Sequence, residues 1–327
     1  MRVFVCEFIT GGGLSGQIIP ASLASEGMLM RDAVVRDFSS IPDVDVVVSY
    51  DTRLPKPEYA NELIAIDVNK DPWAVWEGCF AEADAVLLIA PETDGVLSRL
   101  VALVSQYNSV LLGSDEVAVN IAGSKFRTYG LLVAADIKTI PTYRWPEVPS
   151  FNEQNYVAKM DDGAGCEDSA CFNNRADLDA WMHTRKLSHI VQPFQQGLAA
   201  SFSMLCKQGQ AWLLSCNRQK IELVSGRFVY GGSVLNDLHQ YHQQFSVIAS
   251  QIAMAVPGLN GYIGVDLIVD GNEIYVVEIN PRLTTSYVGL KQATGVNPAR
   301  LILDLAYNDD FVMPAMAHNR IEISLHE

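Results

Sequence analysis

Residues 261–282 read GYIGVDLIVDGNEIYVVEINPR, and the fold assignment starts from this stretch. Two apolar runs rich in β-branched residues flank Asp270-Gly271-Asn272, and Asp-Gly between such runs is a strong signal for a β-hairpin. Along the second run, Glu278 and Asn280 are two residues apart, so both point to one face of the strand. Asp266 lies four residues before the turn, where a tight hairpin brings it opposite the Glu278 region. The pattern predicts three oxygen-bearing side chains on one face of the hairpin.

Side chains of this kind hold Mg²⁺ beside the phosphates of a nucleotide, so we predict Asp266, Glu278 and Asn280 as metal ligands. The residues around them are apolar, which indicates buried strands, and buried carboxylates are costly unless they coordinate metal. The alternative is an ordinary solvated face of a hairpin. Arg282 follows the strand, where a fixed cation stabilises a transferring phosphoryl group. The sequence therefore favours a nucleotide–Mg²⁺ site.

The motif itself, Asp266 followed by Glu278-Ile279-Asn280-Pro281-Arg282, resembles the E-x-N-P-R metal strand of the ATP-grasp superfamily of carboxylate-amine ligases. The resemblance extends from about Ser114 to the C-terminus. A narrower branch, the tyramine-glutamate ligases of methanofuran biosynthesis, is similar in three short segments: EFITGGG (7–13), EGML (26–29) and LTTSYVGL (283–290).

The resemblance implies an α/β fold class of the α+β ATP-grasp type, in which two subdomains grip ATP. We predict three domains from it: a Rossmann-like N-terminal domain (1–113), a small central ATP-grasp subdomain (114–195) and a C-terminal subdomain with the metal site (196–327).

The N-terminal assignment has independent support from the sequence pattern. Apolar strands alternate with helices in this region, which is typical of a parallel sheet. The polar loops after the strands are expected at the carboxyl edge of that sheet, where ligands bind. Five loop residues are candidates for substrate contact, although each also fits an ordinary loop position: Glu7, Thr10, Gly12, Glu92 and Asp94.

Two lysines are candidates for ATP binding. Lys125, within a helix predicted over residues 115–132, matches the family lysine that meets the α-phosphate. Lys159 lies on a strand that leads into the glycine-containing loop 161–168 and resembles the lysine before the family's phosphate lid. A strand lysine and backbone amides of such a loop can together hold a triphosphate.

The resemblance places adenine at a hinge strand that starts near His189. It implies that Gln192 lies at the edge of the base and that the backbone near Phe194 forms hydrogen bonds with it. Gln195 or Gln196 stands where an acidic residue of the family often holds the ribose. The ribose contacts stay unassigned, and we include Gln195 among the predicted nucleotide contacts. A plain edge strand broken by Pro193 is the alternative.

A polar cluster, NRQKI, follows a strand predicted to end at Cys216. A cluster at a strand end can place Arg218 beside Arg282 at an acyl phosphate, and we predict both arginines as catalytic. A hydrated surface position is the alternative for Arg218. Thr285 and Ser286, in the segment that resembles the narrower branch, are predicted to contact the substrates.

Composition restricts the partners and the location. The chain has 327 residues, 38 acidic and 23 basic, and the net charge of −15 argues against a nucleic-acid or membrane partner. Six scattered cysteines without a C-x-x-C pair argue against a zinc site and a disulfide framework. We found no signal peptide and no apolar run of transmembrane length, so we expect a cytoplasmic protein. A homodimer is compatible with the sequence.

The resemblance implies an ADP-forming ligase that uses ATP and two ions of Mg²⁺ (or Mn²⁺). A substrate carboxylate is phosphorylated, and an amine attacks the acyl phosphate to form an amide. The branch suggests L-glutamate as the carboxylate substrate and tyramine or tyrosine as the amine. Two alternatives stay open: another ATP-grasp amino-acid or polyglutamate ligase, and a non-catalytic nucleotide-binding regulatory protein.

Overall fold

The structure of the protein is a computed structural model that describes residues 1–151, 155–163, 168–185 and 188–325. The strands of this part of the chain form three sheets, with five, four and six strands. Helices pack against each sheet. The predicted α/β fold class is thereby confirmed, whereas the exact domain boundaries remain a prediction.

The N-terminal sheet is parallel and has the strand order 3-2-1-4-5. Its strands are β1 (Arg2–Glu7), β2 (Asp45–Asp51), β3 (Glu62–Ile66), β4 (Ala85–Ile89) and β5 (Val110–Leu111). The helices between them are α1 (Ala21–Ser39), α2 (Pro72–Glu82) and α3 (Val96–Val104). Apolar clusters enclose both faces of β1 and β4, which explains their unbroken hydrophobic sequences. The strand order reverses between β1 and β4, so the carboxyl end of β1 at Glu7 and the loop that carries Glu92 flank one crevice.

The helix predicted over residues 115–132 is two helices, α4 (Glu116–Ala122) and α5 (Lys125–Ala134). Ser124 separates them because it adopts an extended backbone and its side chain accepts a hydrogen bond from the backbone N–H of Arg127, which caps α5. Asp161 fixes the same break from outside, since it accepts bonds from the Ser124 hydroxyl and the Phe126 N–H at 2.8 Å each. Lys125 therefore begins a helix instead of lying within one.

The central sheet is antiparallel and has the strand order 6-9-7-8. Its elements are β6 (Tyr143–Arg144), β7 (Tyr156–Met160), β8 (Ala170–Phe172), α6 (Arg175–Met182) and β9 (His189–Pro193). One face packs Tyr156, Ala158 and Val191 against α6. The residues that alternate with these along β7 and β9 lie on the opposite face of the sheet.

The C-terminal sheet is antiparallel and has the strand order 14-13-10-11-12-15. Its strands are β10 (Leu198–Lys207), β11 (Gln210–Val224), β12 (Arg227–Leu235), β13 (Gly261–Asp270), β14 (Glu273–Asn280) and β15 (Ile321–Ser324). The helices around it are α7 (His242–Ala255), α8 (Tyr287–Thr294) and α9 (Pro298–Tyr307). One face packs against α7, α4 and α5, while the other face contacts the N-terminal sheet and its helices.

Strand β11 continues past the predicted end at Cys216, because it pairs with β12 from Arg218 to Val224. The polar residues 217–221 are thus part of a strand, and they alternate between its two faces. The prediction of a polar cluster at a strand end is wrong in this respect.

The N-terminal and C-terminal sheets share one apolar core. Val34 and Phe38 of α1 belong to the same cluster as Tyr287 and Leu290 of α8. Asp37 reinforces this contact by accepting hydrogen bonds from the Tyr287 hydroxyl at 3.3 Å and Lys291 Nζ at 3.1 Å. No helix in the described ranges has the length and apolarity needed to cross a membrane.

Gly232 of β12 provides a stability test. Its φ of +115° is disfavoured for other residues, and a Cβ there would overlap the backbone oxygen of Ile323 in β15. We expect Gly232→Ala to lower the free energy of unfolding by about 2–4 kcal/mol, as measured by urea denaturation.

The neighbouring glycine supplies the matched control. A Cβ at Gly231 would come no closer than 3.7 Å to the Lys220 backbone oxygen. The φ angle of Gly231 lies outside the positive range that disfavours side chains. Gly231→Ala should therefore change stability by less than about 1 kcal/mol. Equal effects of the two substitutions would contradict the assigned β12–β15 pairing.

Candidate active site

The three predicted metal side chains lie together on the hairpin. Asp266 of β13 pairs directly with Glu278 of β14, as the sequence pattern predicts. Asn280 lies two residues further along and its side-chain amide donates to Asp266 at 3.3 Å. A bulge follows Asp266 in the β13–β14 pairing. Bulges redirect side chains and are common next to active sites. Gln219 of β11 donates to the other Asp266 oxygen at 2.8 Å.

The electrostatics of this group suit a divalent cation. Burial, and secondly the neighbouring Glu278 carboxylate, raise the pKa of Asp266 to about 7. Two carboxylates held this close repel each other, and a cation between them removes the repulsion. In the described ranges, no three His, Cys, Asp or Glu side chains form a metal cluster, so the donor set here is two carboxylates and an amide oxygen. Hard oxygen donors of this type fit Mg²⁺.

Lys125 lies at this carboxylate pair. The side chain is almost fully buried, and its Nζ is 3.0 Å from Glu278 Oε1. The same nitrogen donates to the backbone oxygen of Gly163 at 2.6 Å. Gly163 belongs to the loop predicted to cover the phosphates, of which residues 164–167 lie outside the described part of the chain. Lys125 thus connects that loop to a candidate metal ligand.

Lys159 and Gln192 lie on the same face of the central sheet, opposite the face that packs against α6. The positive charge of Lys159 lowers the pKa of Asp266, so the two groups are within electrostatic range. The side-chain amide of Gln192 is buried and donates to the Thr142 hydroxyl at 2.8 Å. The structure brings Lys159 toward the carboxylates, and the adenine role of Gln192 remains a prediction.

The hinge residues already have intramolecular partners. The backbone N–H of Phe194 donates to the Asn155 oxygen at 2.8 Å. The Gln195 amide donates to the Gln196 oxygen at 3.0 Å and to Asp270 Oδ2 at 3.3 Å. An adenine at this strand would have to bind backbone groups other than the Phe194 N–H, because that N–H is already bonded. If Gln195 contacted the ribose, it would lose its hydrogen bonds to Gln196 and Asp270.

Arg282 is largely buried, and its guanidinium forms a bidentate pair. Its Nε and Nη2 donate to the two oxygens of Glu92, each at 2.9 Å, across 190 residues of sequence. Planar pairs of this type fix the guanidinium in place. The loop after β4 holds Arg282 through Glu92 and meets Asp162, which accepts from the Asp94 N–H at 3.0 Å. Substrate contact by Glu92 and Asp94 remains a prediction.

The predicted position of Arg218 beside Arg282 is wrong. Asn217 and Gln219 face the Asp266 side of the sheet, as their bonds to Ser201 and Asp266 show. Because side chains alternate along a strand, Arg218 points to the opposite face, where its guanidinium binds Asp237. Gln219 is the residue from this segment that reaches the site. Treating the segment as the end of a strand hid the alternation that identifies it.

The four predicted substrate residues fall into two groups. Thr285 and Ser286 are buried at the start of α8, where Thr285 Oγ1 is 2.9 Å from the Tyr230 hydroxyl and Ser286 Oγ is 3.4 Å from Ser233 Oγ. Thr10 is fully buried, and both its N–H and its hydroxyl donate to Glu7. Gly12, with φ +104°, packs against Ile66 of β3, which leaves no room for a side chain. Thr10 and Gly12 thus have structural partners inside the N-terminal sheet.

Sequence reasoning missed Glu26 and Tyr230. Glu26 lies on α1, and its carboxylate is within electrostatic range of Arg282. Tyr230 of β12 is within range of both Glu26 and Asp266. Glu26 occurs in one of the segments that resemble the narrower branch, but a single acid on a helix gives no local indication of what it faces.

Comparisons with known proteins match most of the chain to two domain families. The ATP-grasp domain family matches residues 122–286, and the pre ATP-grasp 3 domain matches residues 44–119. The tyramine–L-glutamate ligase of Methanocaldococcus fervens is 30% identical over 291 residues, 88% of this chain and 89% of that protein. The enzyme of the same name from Methanocaldococcus jannaschii is 29% identical over 292 residues, 88% of this chain and 85% of that protein.

A solved structure supports the fold alone. The crystal structure of an ATP-grasp superfamily protein from Archaeoglobus fulgidus superposes with a TM-score of 0.68 at 23% identity. The match covers 99% of this chain and 100% of that one.

The raised pKa of Asp266 predicts how stability depends on pH without metal. A carboxyl whose pKa rises from 3.8 to about 7 on folding stabilises the folded state at low pH, and this contribution is lost as pH rises through 7. In EDTA, we compare the free energy of unfolding of Asp266→Asn with that of the wild type. We expect this difference to shift in favour of the variant by at least about 1 kcal/mol from about pH 5 to pH 8. Urea denaturation at the two pH values measures the change.

Adding Mg²⁺ at the higher pH supplies the control, because it should stabilise the wild type and not Asp266→Asn. A stability difference that stays constant with pH would show that Asp266 does not titrate as the structure indicates.

Proposed function

The chain belongs to the ATP-grasp family, and from this premise we propose that it is an ATP-dependent, ADP-forming ligase that joins L-glutamate to tyramine. One observation carries the proposal: the opposed carboxylates of Asp266 and Glu278 lie within reach of Lys125 on the hairpin that resembles the family's metal strand. The substrate pair is taken from the names of the two Methanocaldococcus relatives. We further propose that the enzyme works in the cytoplasm in methanofuran-type cofactor synthesis.

Asp266, Glu278 and Asn280 would hold the metal, and we propose two Mg²⁺ ions in this site. Bound Mg²⁺ would neutralise phosphate oxygens and orient the γ-phosphate of ATP. Lys125 now pairs with Glu278, so a metal ion at Glu278 would free the ammonium group to contact a phosphate. Lys159 faces the same cleft from the central sheet and would bind the triphosphate from the other side.

The reaction needs charge placement and no protein nucleophile. A carboxylate oxygen of glutamate attacks the γ-phosphorus, and ADP leaves with the electron pair of the broken P–O bond. The amine nitrogen then attacks the acyl carbon, and phosphate leaves as the C–O bond breaks. Arg282, held in a fixed orientation by Glu92, stabilises the negative charge on the phosphoryl group in both steps.

The direct test is an ADP-release assay with ATP, Mg²⁺, L-glutamate and tyramine. We expect ADP formation that depends on both substrates, together with a condensed product that mass spectrometry identifies. Replacing tyramine with tyrosine, and glutamate with other amino acids, determines the specificity. Absence of ADP with glutamate and either amine would contradict the substrate assignment, and ATP binding without ADP formation under every substrate mixture would contradict ligase activity.

The two arginines allow a matched comparison of variants. Arg282→Lys removes the planar guanidinium that Glu92 orients and that we propose to face the transferring phosphoryl group, and we expect kcat to fall by at least about 100-fold. Arg218→Lys makes the same change on the opposite face of the sheet, so kcat should stay within about threefold of wild type. Steady-state ADP release measures both. A larger loss for Arg218→Lys than for Arg282→Lys would reverse the assignment.

A further inference from the structure

Asp161 and Asp162 follow strand β7 and bind two different parts of the chain. Asp161 is buried, and its carboxylate accepts from the Ser124 hydroxyl and the Phe126 N–H at the start of α5, each at 2.8 Å. Its backbone oxygen also accepts from the backbone N–H of Lys125 at 3.0 Å. Three hydrogen bonds therefore fix the turn that contains Asp161 and Asp162 against the first residues of α5.

Asp162 contacts the loop that follows β4 in the N-terminal sheet. Its carboxylate oxygen Oδ2 accepts from the Asp94 N–H at 3.0 Å, and its backbone oxygen accepts from the Thr93 hydroxyl at 3.0 Å. The partners are 68 and 69 positions apart in the sequence. These bonds join the end of a central strand to the two residues that follow Glu92.

The conformation of residues 92–95 needs support from other groups. Asp94 and Gly95 both have positive φ angles, +56° and +66°. Residues with a side chain rarely adopt this region, and they persist there where neighbouring contacts hold them. The Asp162 carboxylate provides such a contact at the Asp94 N–H, and the Glu92 backbone oxygen provides another by accepting from the Gly95 N–H at 3.0 Å. Asp162 thus stabilises the short turn that begins at Glu92.

Glu92 connects this turn to Arg282. Its two carboxylate oxygens accept from Nε and Nη2 of Arg282 at 2.9 Å each, a pairing that requires the two planar groups to be aligned. Glu92 also packs against the junction of α4 and α5, since a Cβ built on Gly123 would lie 3.3 Å from the Glu92 Cβ. A displacement of residues 92–95 would therefore move the carboxylate that orients the guanidinium.

We propose that Asp162 is a positioning residue for Arg282, which holds residues 92–95 in the conformation that aligns Glu92 with the guanidinium. The inference rests on the proposed ligase function, in which Arg282 stabilises the phosphoryl group. It adds a dependence of that cation on the central sheet, whose strand β7 also carries Lys159. Asp162 itself acts through the loop and touches neither ATP nor the substrates.

Truncation of Asp162 tests this role. Asp162→Ala removes the acceptor of the Asp94 N–H and leaves the three bonds of Asp161 in place. We expect kcat for ADP release to fall about 10-fold while the KM for ATP stays within about threefold, because the turn remains fixed on α5. Asp162→Asn keeps an oxygen acceptor at the same position, so its kcat should return to within about threefold of the wild type.

A double-mutant cycle determines whether Asp162 acts through Arg282. In an Arg282→Lys background the guanidinium that the loop aligns is absent, so adding Asp162→Ala should lower kcat by less than about twofold further. Steady-state ADP release measures all four proteins of the cycle. Equal losses in the two backgrounds, or an unchanged kcat in Asp162→Ala alone, would overturn the proposal.

Asp177→Ala is the matched control for the substitution. Asp177 is an exposed acid on α6, which packs against the face of the central sheet opposite Lys159. Its kcat and KM for ATP should stay within about twofold of the wild type. A loss equal to that of Asp162→Ala would indicate a general effect of altering the central sheet, and the proposal would not stand.

Hydrogen–deuterium exchange separates this proposal from the ligase assignment, because it requires no turnover. In Asp162→Ala, we expect peptides that contain the Asp94 amide to exchange at least about 10-fold faster than in the wild type, with peptides from β14 unchanged. Equal exchange at residues 92–95 would overturn the positioning role even in an active enzyme. A wild type that forms no ADP would contradict the proposed function, whereas the exchange rates would still decide whether Asp162 holds the loop.

Discussion

The site depends on the repulsion between Asp266 and Glu278, two carboxylates held opposite each other by the pairing of β13 and β14. The pairing places the two residues directly opposite each other, so their side chains share one face of the hairpin. Lys125, Gln219 and Asn280 each offset part of this cost with a hydrogen bond or an ion pair. Burial and the facing Glu278 carboxylate raise the pKa of Asp266, and a divalent cation between the two carboxylates would remove their repulsion.

The side chains around the Asp266–Glu278 pair come from distant parts of the chain. All three sheets contribute residues near the hairpin. Strand β11 supplies Gln219, the start of α5 supplies Lys125, and β7 supplies Lys159. The N-terminal sheet supplies Glu92, which orients Arg282. The first sheet therefore contributes to the candidate active site, because without Glu92 the largely buried guanidinium would lack its counter-ion.

The sequence predicts this site where the information is local. Alternation along a strand places Glu278 and Asn280 on one face, and the Asp-Gly turn sets the register that brings Asp266 opposite. Prediction from the sequence fails where tertiary contacts determine which way a side chain points. The extension of β11 depends on pairing with β12, so the face of Arg218 and Gln219 could not be read from the segment itself. Likewise, no local pattern relates Glu92 to an arginine that lies 190 residues further along the chain.

The Glu92–Arg282 pair also bears on how the chain is made. The two residues are 190 positions apart, so at ribosomal speeds of about 5–20 residues per second Glu92 emerges roughly 10–40 s before its counter-ion. During that interval the apolar surface of α1 that later meets α8 is also uncovered. A nascent N-terminal segment would thus expose apolar surface that chaperones are suited to cover until the C-terminal helices are made.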